Sequence, residues 1–192
     1  MNPPHGARLL RMIPPGRAGP PDFARLYAEW LVPVSRWVRA LGGPESELDD
    51  LTQEVFLVAR SKLEKFDGEN VAGWLYRIAA NTVRGHRKLA WFRHLFQRPR
   101  DVALEEHLGT ARSPEEILQQ KQARRTLERL VARMSRKRRV AFMLFEVEGY
   151  SGEEIAALEG IPVATVWTRL HHARRDFLSL LAKHRESEGR AP

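Results

Sequence analysis

Residues 150–182 read YSGEEIAALEGIPVATVWTRLHHARRDFLSLLA, and the way this stretch folds decides the reading of the chain. Ser151 and Glu154 have the S-x-x-E spacing of a capping box, in which two residues satisfy each other's backbone N–H at a helix start. Ile155 and Leu158 give that helix a short apolar face. Gly160 stops it, and Pro162 stands where a second helix begins. In that second helix Val166, Leu170, Ala173, Phe177 and Leu181 fall on one stripe, with Leu180 beside it. A short helix, a glycine turn and a longer helix match the helix-turn-helix, whose second helix enters the DNA major groove. Helical hairpins that never meet DNA share this outline.

At about 100° per residue, Ala164, Thr168, His171 and Arg175 point away from the apolar stripe, with Thr165 and His172 adjoining. Trp167 sits about a quarter-turn from the stripe, beside Arg174, and has two readings. It packs on neighbouring protein, or it touches DNA through a thymine methyl or the backbone. Upstream, the run Arg136-Lys137-Arg138-Arg139 opens an apolar helix within MSRKRRVAFMLFEVEG. Such a run is either solvated or, next to a helix-turn-helix, a phosphate contact. Before it, SPEEILQQKQARRTLERLVARM is an amphipathic helix with Ile117, Leu127, Leu130 and Val131 among its apolar positions.

The whole chain has 192 residues, 43% hydrophobic and 29% charged, with a net charge of +8 and a pI near 10.4. That balance favours a polyanionic partner. There is no cysteine, which excludes disulfides, zinc fingers, thiol catalysis and iron–sulfur clusters. No apolar run approaches the roughly 20 residues of a membrane-spanning helix. Helical periodicity dominates and strand alternation is missing. The expected fold is all-α: two small helical domains, at 21–95 and 114–185, joined by a flexible linker at 96–113. Residues 1–20, proline-rich and mildly basic, read as a mobile arm, and residues 186–192 as a frayed tail.

Within the first domain, GGPESELDDLTQEVFLVARSKLEKF (42–66) starts with a helix-entry signal and acids in its first turns. Leu48, Leu51, Val55, Val58 and Ala59 share its core face. Asp50, Gln53, Glu54 and Leu57 share the opposite one. A single exposed leucine is unremarkable on any surface; among acids it also suits a partner with arginines around an apolar groove. The next helix, NVAGWLYRIAANTVRGHRKLAWFRHLF (70–96), has an apolar face of Leu75, Ile78, Ala79, Thr82 and Leu89. Arg77, Asn81, Arg84 and Lys88 form a separate stripe. No acid occurs from Asn70 to Arg100, so this helix forgoes the mixed-sign pairs of an ordinary solvated face, as a phosphate-tracking surface does. Trp74 is either core or a platform for an unpaired base.

DDLTQEVFLVARSKLEKFDGENVAGWLYRIAAN (49–81) resembles conserved region 2 of bacterial extracytoplasmic-function (ECF) sigma factors. Their pattern is roughly D-L-x-Q-E-x-F, then F-x-G-E, then W-L-Y-R-I-A-x-N. EGYSGEEIAALEGIPVATVWTRLHHAR (148–174) resembles region 4 of the same family. The two stand in family order with a linker of family-like length, and the resemblance covers about residues 22–185. It implies that Asp50, Gln53, Glu54 and Leu57 dock onto the coiled coil of the polymerase β′ subunit, within a core enzyme whose β subunit is also a partner. It implies that Phe66, Asp67, Gly68, Glu69 and Asn70 capture a flipped base of the minus-10 element. Trp74, Arg77, Asn81, Arg84 and Lys88 would hold the melted strand and its upstream duplex. Arg136, Lys137, Ala164, Thr165, Trp167, Thr168, Arg169, His171, His172 and Arg175 would serve the minus-35 element.

The implied protein is a cytoplasmic monomer without catalysis, cofactor or metal, bound to core RNA polymerase, promoter DNA and an anti-sigma factor. Three departures stand out: Gly85 where the family often has Asp, Trp167 where Arg or Lys is common, and the aromatic LAWFRHLF (89–96), which extends the preceding helix or contacts a partner. A stand-alone helix-turn-helix regulator would account for 152–185 but not for the acidic face or the basic stripe. Seven histidines and scattered acids form no catalytic constellation, and the adjacent His171 and His172 point to different sides of a helix.

Overall fold

The computed structural model describes residues 22–96 and 114–188. The arm at 1–20, the linker beyond Phe96 and the last residues of the tail lie outside them. So do the side chains of Leu89 and Ile117. Among the described residues there are seven α-helices and no strand, the all-α architecture expected from the periodicity.

Helix α1 (Phe23–Ala40) starts at Asp22, whose carboxylate accepts the Arg25 N–H at 3.3 Å. A 3-10 turn, Glu45–Glu47, leads into α2 (Leu48–Lys62), where Asp49 and Asp50 in the first turn complement the helix dipole. The expected core stripe of α2 is buried, with Val58 half-buried; Thr52 and Phe56 are buried as well. The face is wider than one stripe because α2 packs against both α1 and α3. Helix α3 (Val71–Phe96) runs through the aromatic LAWFRHLF stretch, so that segment continues the helix.

The second unit holds α4 (Pro114–Ala132), α5 (Arg136–Phe142), α6 (Gly152–Glu159) and α7 (Val163–Glu188). The apolar helix expected to follow the basic run widens after α5 into a π-turn at Met143–Val147, where the Glu148 N–H reaches the Met143 carbonyl at 3.0 Å. The capping box forms as read: Ser151 N–H to Glu154 Oε2 at 2.8 Å, and Glu154 N–H to Ser151 Oγ at 3.2 Å. Gly160 ends α6 as expected, and does so in the left-handed conformation at φ +65°.

The two helical units share one buried apolar cluster, continuous from Leu26 in α1 to Ala173 in α7. At its centre Trp37 of α1 donates its indole N–H to the Tyr150 hydroxyl at 2.9 Å, a buried bond linking residues 113 apart in sequence. Burial pushes the Tyr150 phenol up to about 12, although the indole donor opposes the shift, so the hydroxyl stays neutral. Around this bond, Glu148 lies 3.7 Å from Arg36 and 3.9 Å from Arg39, and Arg124 pairs with Glu45. Nothing local announces this joint, because each partner meets residues of the other unit.

Gly85 lies in the middle of α3, where an added Cβ would meet nothing within 4 Å. Packing therefore does not require glycine there. Gly85→Ala is expected to stabilise the protein by up to about 1 kcal/mol through helix propensity, read by urea unfolding; a loss of stability would show a constraint on this backbone.

Candidate nucleic-acid and polymerase interfaces

The loop joining α2 to α3 is shaped by its own polar side chains. Asp67 Oδ1 accepts the Glu69 N–H at 3.0 Å, and Gly68 takes φ +83°. Asn70, itself at φ +43°, accepts the Gly73 N–H at 2.9 Å and so caps α3. Phe66 stacks on Trp74, with ring centroids 4.2 Å apart and planes 15° from parallel. Trp74 is half-buried: one face belongs to Phe66, which tilts its two readings toward packing. The five loop residues and Trp74 thus form one small, locally braced unit at the α3 N-terminus.

From there the basic stripe runs along α3, with Arg77, Asn81, Arg84 and Lys88 all exposed. Arg84 donates to the Asn81 side-chain carbonyl. None of Arg77, Arg84 and Lys88 has a carboxylate partner among the described residues. Arg77, Asn81 and Arg84 line a cleft of about 430 Å³ whose far wall carries Arg136, Lys137, Glu159 and Arg169. Residues assigned from sequence to two separate DNA elements therefore face each other across one basic cleft. Its one acid, Glu159, pairs with Arg169. Arg169 is largely buried beside Glu159 and lines the cleft opposite α3, apart from the outward residues of α7. Tyr76 forms part of the floor, and burial holds its phenol well above the usual tyrosine range.

The basic run at α5 divides by environment. Arg136 and Lys137 are exposed, Arg138 bonds Asp176 of α7 at 2.8 Å, and Arg139 is buried. On α7, Ala164, Thr168, His171 and Arg175 are exposed, with Thr165 and His172 half-buried beside them. The Thr168 hydroxyl is turned back to the Ala164 carbonyl at 2.9 Å. His171 and His172 have ring centroids 5.5 Å apart with planes at 72°. Arg174, beside Trp167, is tied to Glu146 at 2.7 Å and lies over the Phe145 ring.

Trp167 packs on neighbouring protein. Its ring meets Phe145 edge-on, with centroids 5.6 Å apart, and lies over Gly152, where an added Cβ would come within 2.7 Å of Cζ2. It nevertheless stays 43% exposed, so the ring also presents an apolar edge on the outward side of α7. Gly152→Val is expected to cost about 1–3 kcal/mol by overpacking, and less when Trp167 is already alanine. A double-mutant cycle by denaturant unfolding measures the coupling; strictly additive losses would refute the contact.

The acidic face of α2 stands clear of the core. Asp50, Gln53 and Glu54 are exposed and Leu57 is 67% exposed. Their side chains make no hydrogen bond or ion pair among the described residues. They lie side by side as the spacing predicted.

Residues 26–92 match the family Sigma-70 region 2, and residues 124–177 match Sigma-70, region 4. The ECF RNA polymerase sigma-E factor of Escherichia coli (strain K12) is 32% identical over 148 residues, covering 73% of this chain and 74% of that protein. The chain belongs to the ECF sigma-factor family. ECF RNA polymerase sigma factor SigE of Mycolicibacterium smegmatis is 28% identical over 174 residues, and the chain spans 65% of its length. Among solved structures, CnrH in complex with the cytosolic domain of CnrY matches at TM-score 0.58 and 26% identity, over 84% of this sigma factor and 88% of that chain. The sigma factor RpoE in complex with the anti-sigma factor NepR, from Bartonella quintana, shares the fold at TM-score 0.58 and 22% identity, over 84% and 97% of the two chains. No helix among the described residues is long and apolar enough to cross a membrane.

Proposed function

We propose that this sigma factor binds core RNA polymerase, directs it to promoters through minus-10 and minus-35 elements, and helps open the duplex. The observation that carries this reading is the stripe of unpaired cations on α3, set beside a helix-turn-helix in a chain of this family. Phosphate contacts from Arg77, Arg84 and Lys88 position the strand, while the Phe66–Asn70 loop takes an unstacked base and opposes reannealing. Outward residues of α7 read base edges in the major groove, with Arg136 and Lys137 on the adjacent backbone. Trp167 supplies an apolar edge where relatives place a cation, suited to a thymine methyl.

The 430 Å³ cleft has the volume of a small-ligand pocket and not of a duplex. A duplex reaching into the cleft would require the two units to part, at the expense of the buried Trp37–Tyr150 bond and the apolar cluster around it. An anti-sigma factor that favours the closed joint would hold the protein inactive; the complexes with CnrY and NepR make such a partner the natural expectation.

The polymerase-docking face is α2. Asp50→Ala combined with Glu54→Ala is expected to weaken core binding by about tenfold or more through lost charge complementarity, with unfolding stability unchanged because both side chains are solvated. Unchanged affinity by fluorescence titration removes the docking face from the proposal. Transcription by core enzyme with and without the chain, followed by transcript sequencing, tests the whole reading. Tight, dimeric, sequence-specific binding of the free chain to duplex DNA would instead support a stand-alone regulator.

A further inference from the structure

Arg139 is 7% exposed, and its guanidinium has no ion-pair or hydrogen-bond partner among the described residues; its Nε is buried without an acceptor. Burial, and then the like charges of Arg87 and Arg136, lower its proton affinity. A buried guanidinium with no counter-charge is strongly unfavourable unless something supplies one.

Arg139 borders a cavity of about 460 Å³ set in the joint between the two units. The first unit contributes Gly42 and Arg87. Leu127, Val131, Met143 and Val147 of the second form an apolar wall. Gly42, at φ +91°, brings the two cations together: a Cβ placed on it would lie 3.3 Å from Arg139 Nη2 and 3.7 Å from Arg87 Nη1. The cavity's carboxylates are already engaged with other cations. Glu45 pairs with Arg39 and Arg124, Glu148 lies near Arg36 and Arg39, and Glu128 pairs with Arg124.

We propose that this cavity binds a small oxyanion, a phosphate or carboxylate on an apolar body, held between Arg139 and Arg87, and that its binding tightens the joint between the two units. Paired guanidinium groups match the planar or tetrahedral oxyanion with charge-assisted hydrogen bonds. The volume and the apolar wall fit a small molecule with one charged end. Because Arg139 belongs to α5 and Arg87 to α3, one bound anion bridges both units. The proposal does not depend on how the protein meets DNA or polymerase.

The test is thermal unfolding of the full chain at constant ionic strength, with phenyl phosphate and benzoate as separate probes against chloride. Either probe, well above its dissociation constant, is expected to raise Tm by about 3 °C or more. The probe that acts identifies the headgroup. Arg133→Met, at an exposed arginine that does not line the cavity, keeps the shift; Arg139→Met abolishes it and in plain buffer unfolds no earlier than the parent, since it removes a buried unpaired charge. Arg87→Gln, at an exposed position, weakens binding about tenfold or more through a lost charge-assisted bond. The proposal is overturned by no shift with either probe, by equal shifts in the parent and Arg139→Met, or by full affinity in Arg87→Gln. It is also overturned if Arg139→Met is destabilised without anion, because a group of the protein then already holds the guanidinium.

Discussion

Trp37→Ala is expected to destabilise the protein by about 3–5 kcal/mol, the range for deleting a fully buried aromatic. Trp37 has no exposed surface. Its ring meets Tyr76 edge-on at 5.8 Å and lies 5.8 Å from that of Trp30, so the substitution opens a cavity between α1, α3 and the second unit. It also removes the donor to Tyr150. Against a typical total stability of about 5–15 kcal/mol, the loss is large, and denaturant unfolding measures it directly. Tyr150→Phe separates the hydrogen bond from the packing. It leaves the ring in place and strands the buried indole N–H, for an expected cost of about 1–3 kcal/mol. If Trp37→Ala cost under about 1 kcal/mol, the two units would not be held together in solution by this joint.

The second large effect concerns DNA. Arg77→Ala combined with Arg84→Ala is expected to lower promoter affinity of the polymerase complex by about ten- to a hundredfold at moderate salt, and to reduce the slope of log affinity against log salt by about 1.4–1.8. The slope is the informative quantity, since each lost phosphate contact removes about 0.7 on a single strand and 0.9 on duplex. Both side chains are exposed and without carboxylate partners, so their removal should leave stability nearly unchanged. Binding measured over a salt series checks both numbers. An unchanged slope would mean that the α3 stripe does not meet phosphates.

The parts of this fold legible in the sequence are those written in local spacing. The capping box at Ser151, the helix stop at Gly160 and the buried stripe of α2 follow from single residues or from residues three or four apart, and all three stand in the structure. The exposure of Asp50, Gln53, Glu54 and Leu57 was legible for the same reason. Tertiary commitments were not. Arg136 to Arg139 look alike in sequence, yet two are solvated, one is paired across to α7 and one is buried, because position around α5 decides which helix each meets. Nothing beside Arg169 in the sequence announces its burial against Glu159 of α6. The Trp37–Tyr150 bond has no local signature, since its partners lie in different units.

The contact between Trp167 and Gly152 couples what those two positions can carry. With the indole where it lies, a Cβ at position 152 would force the ring to shift. With the indole gone, that constraint lifts. A lineage moving from tryptophan to arginine at 167 therefore has an ordered path: the ring leaves first, and only afterwards does 152 accept a side chain. The reverse order passes through an intermediate in which the two collide. A glycine in the first helix of the motif thus becomes a record of what the second helix carries at position 167.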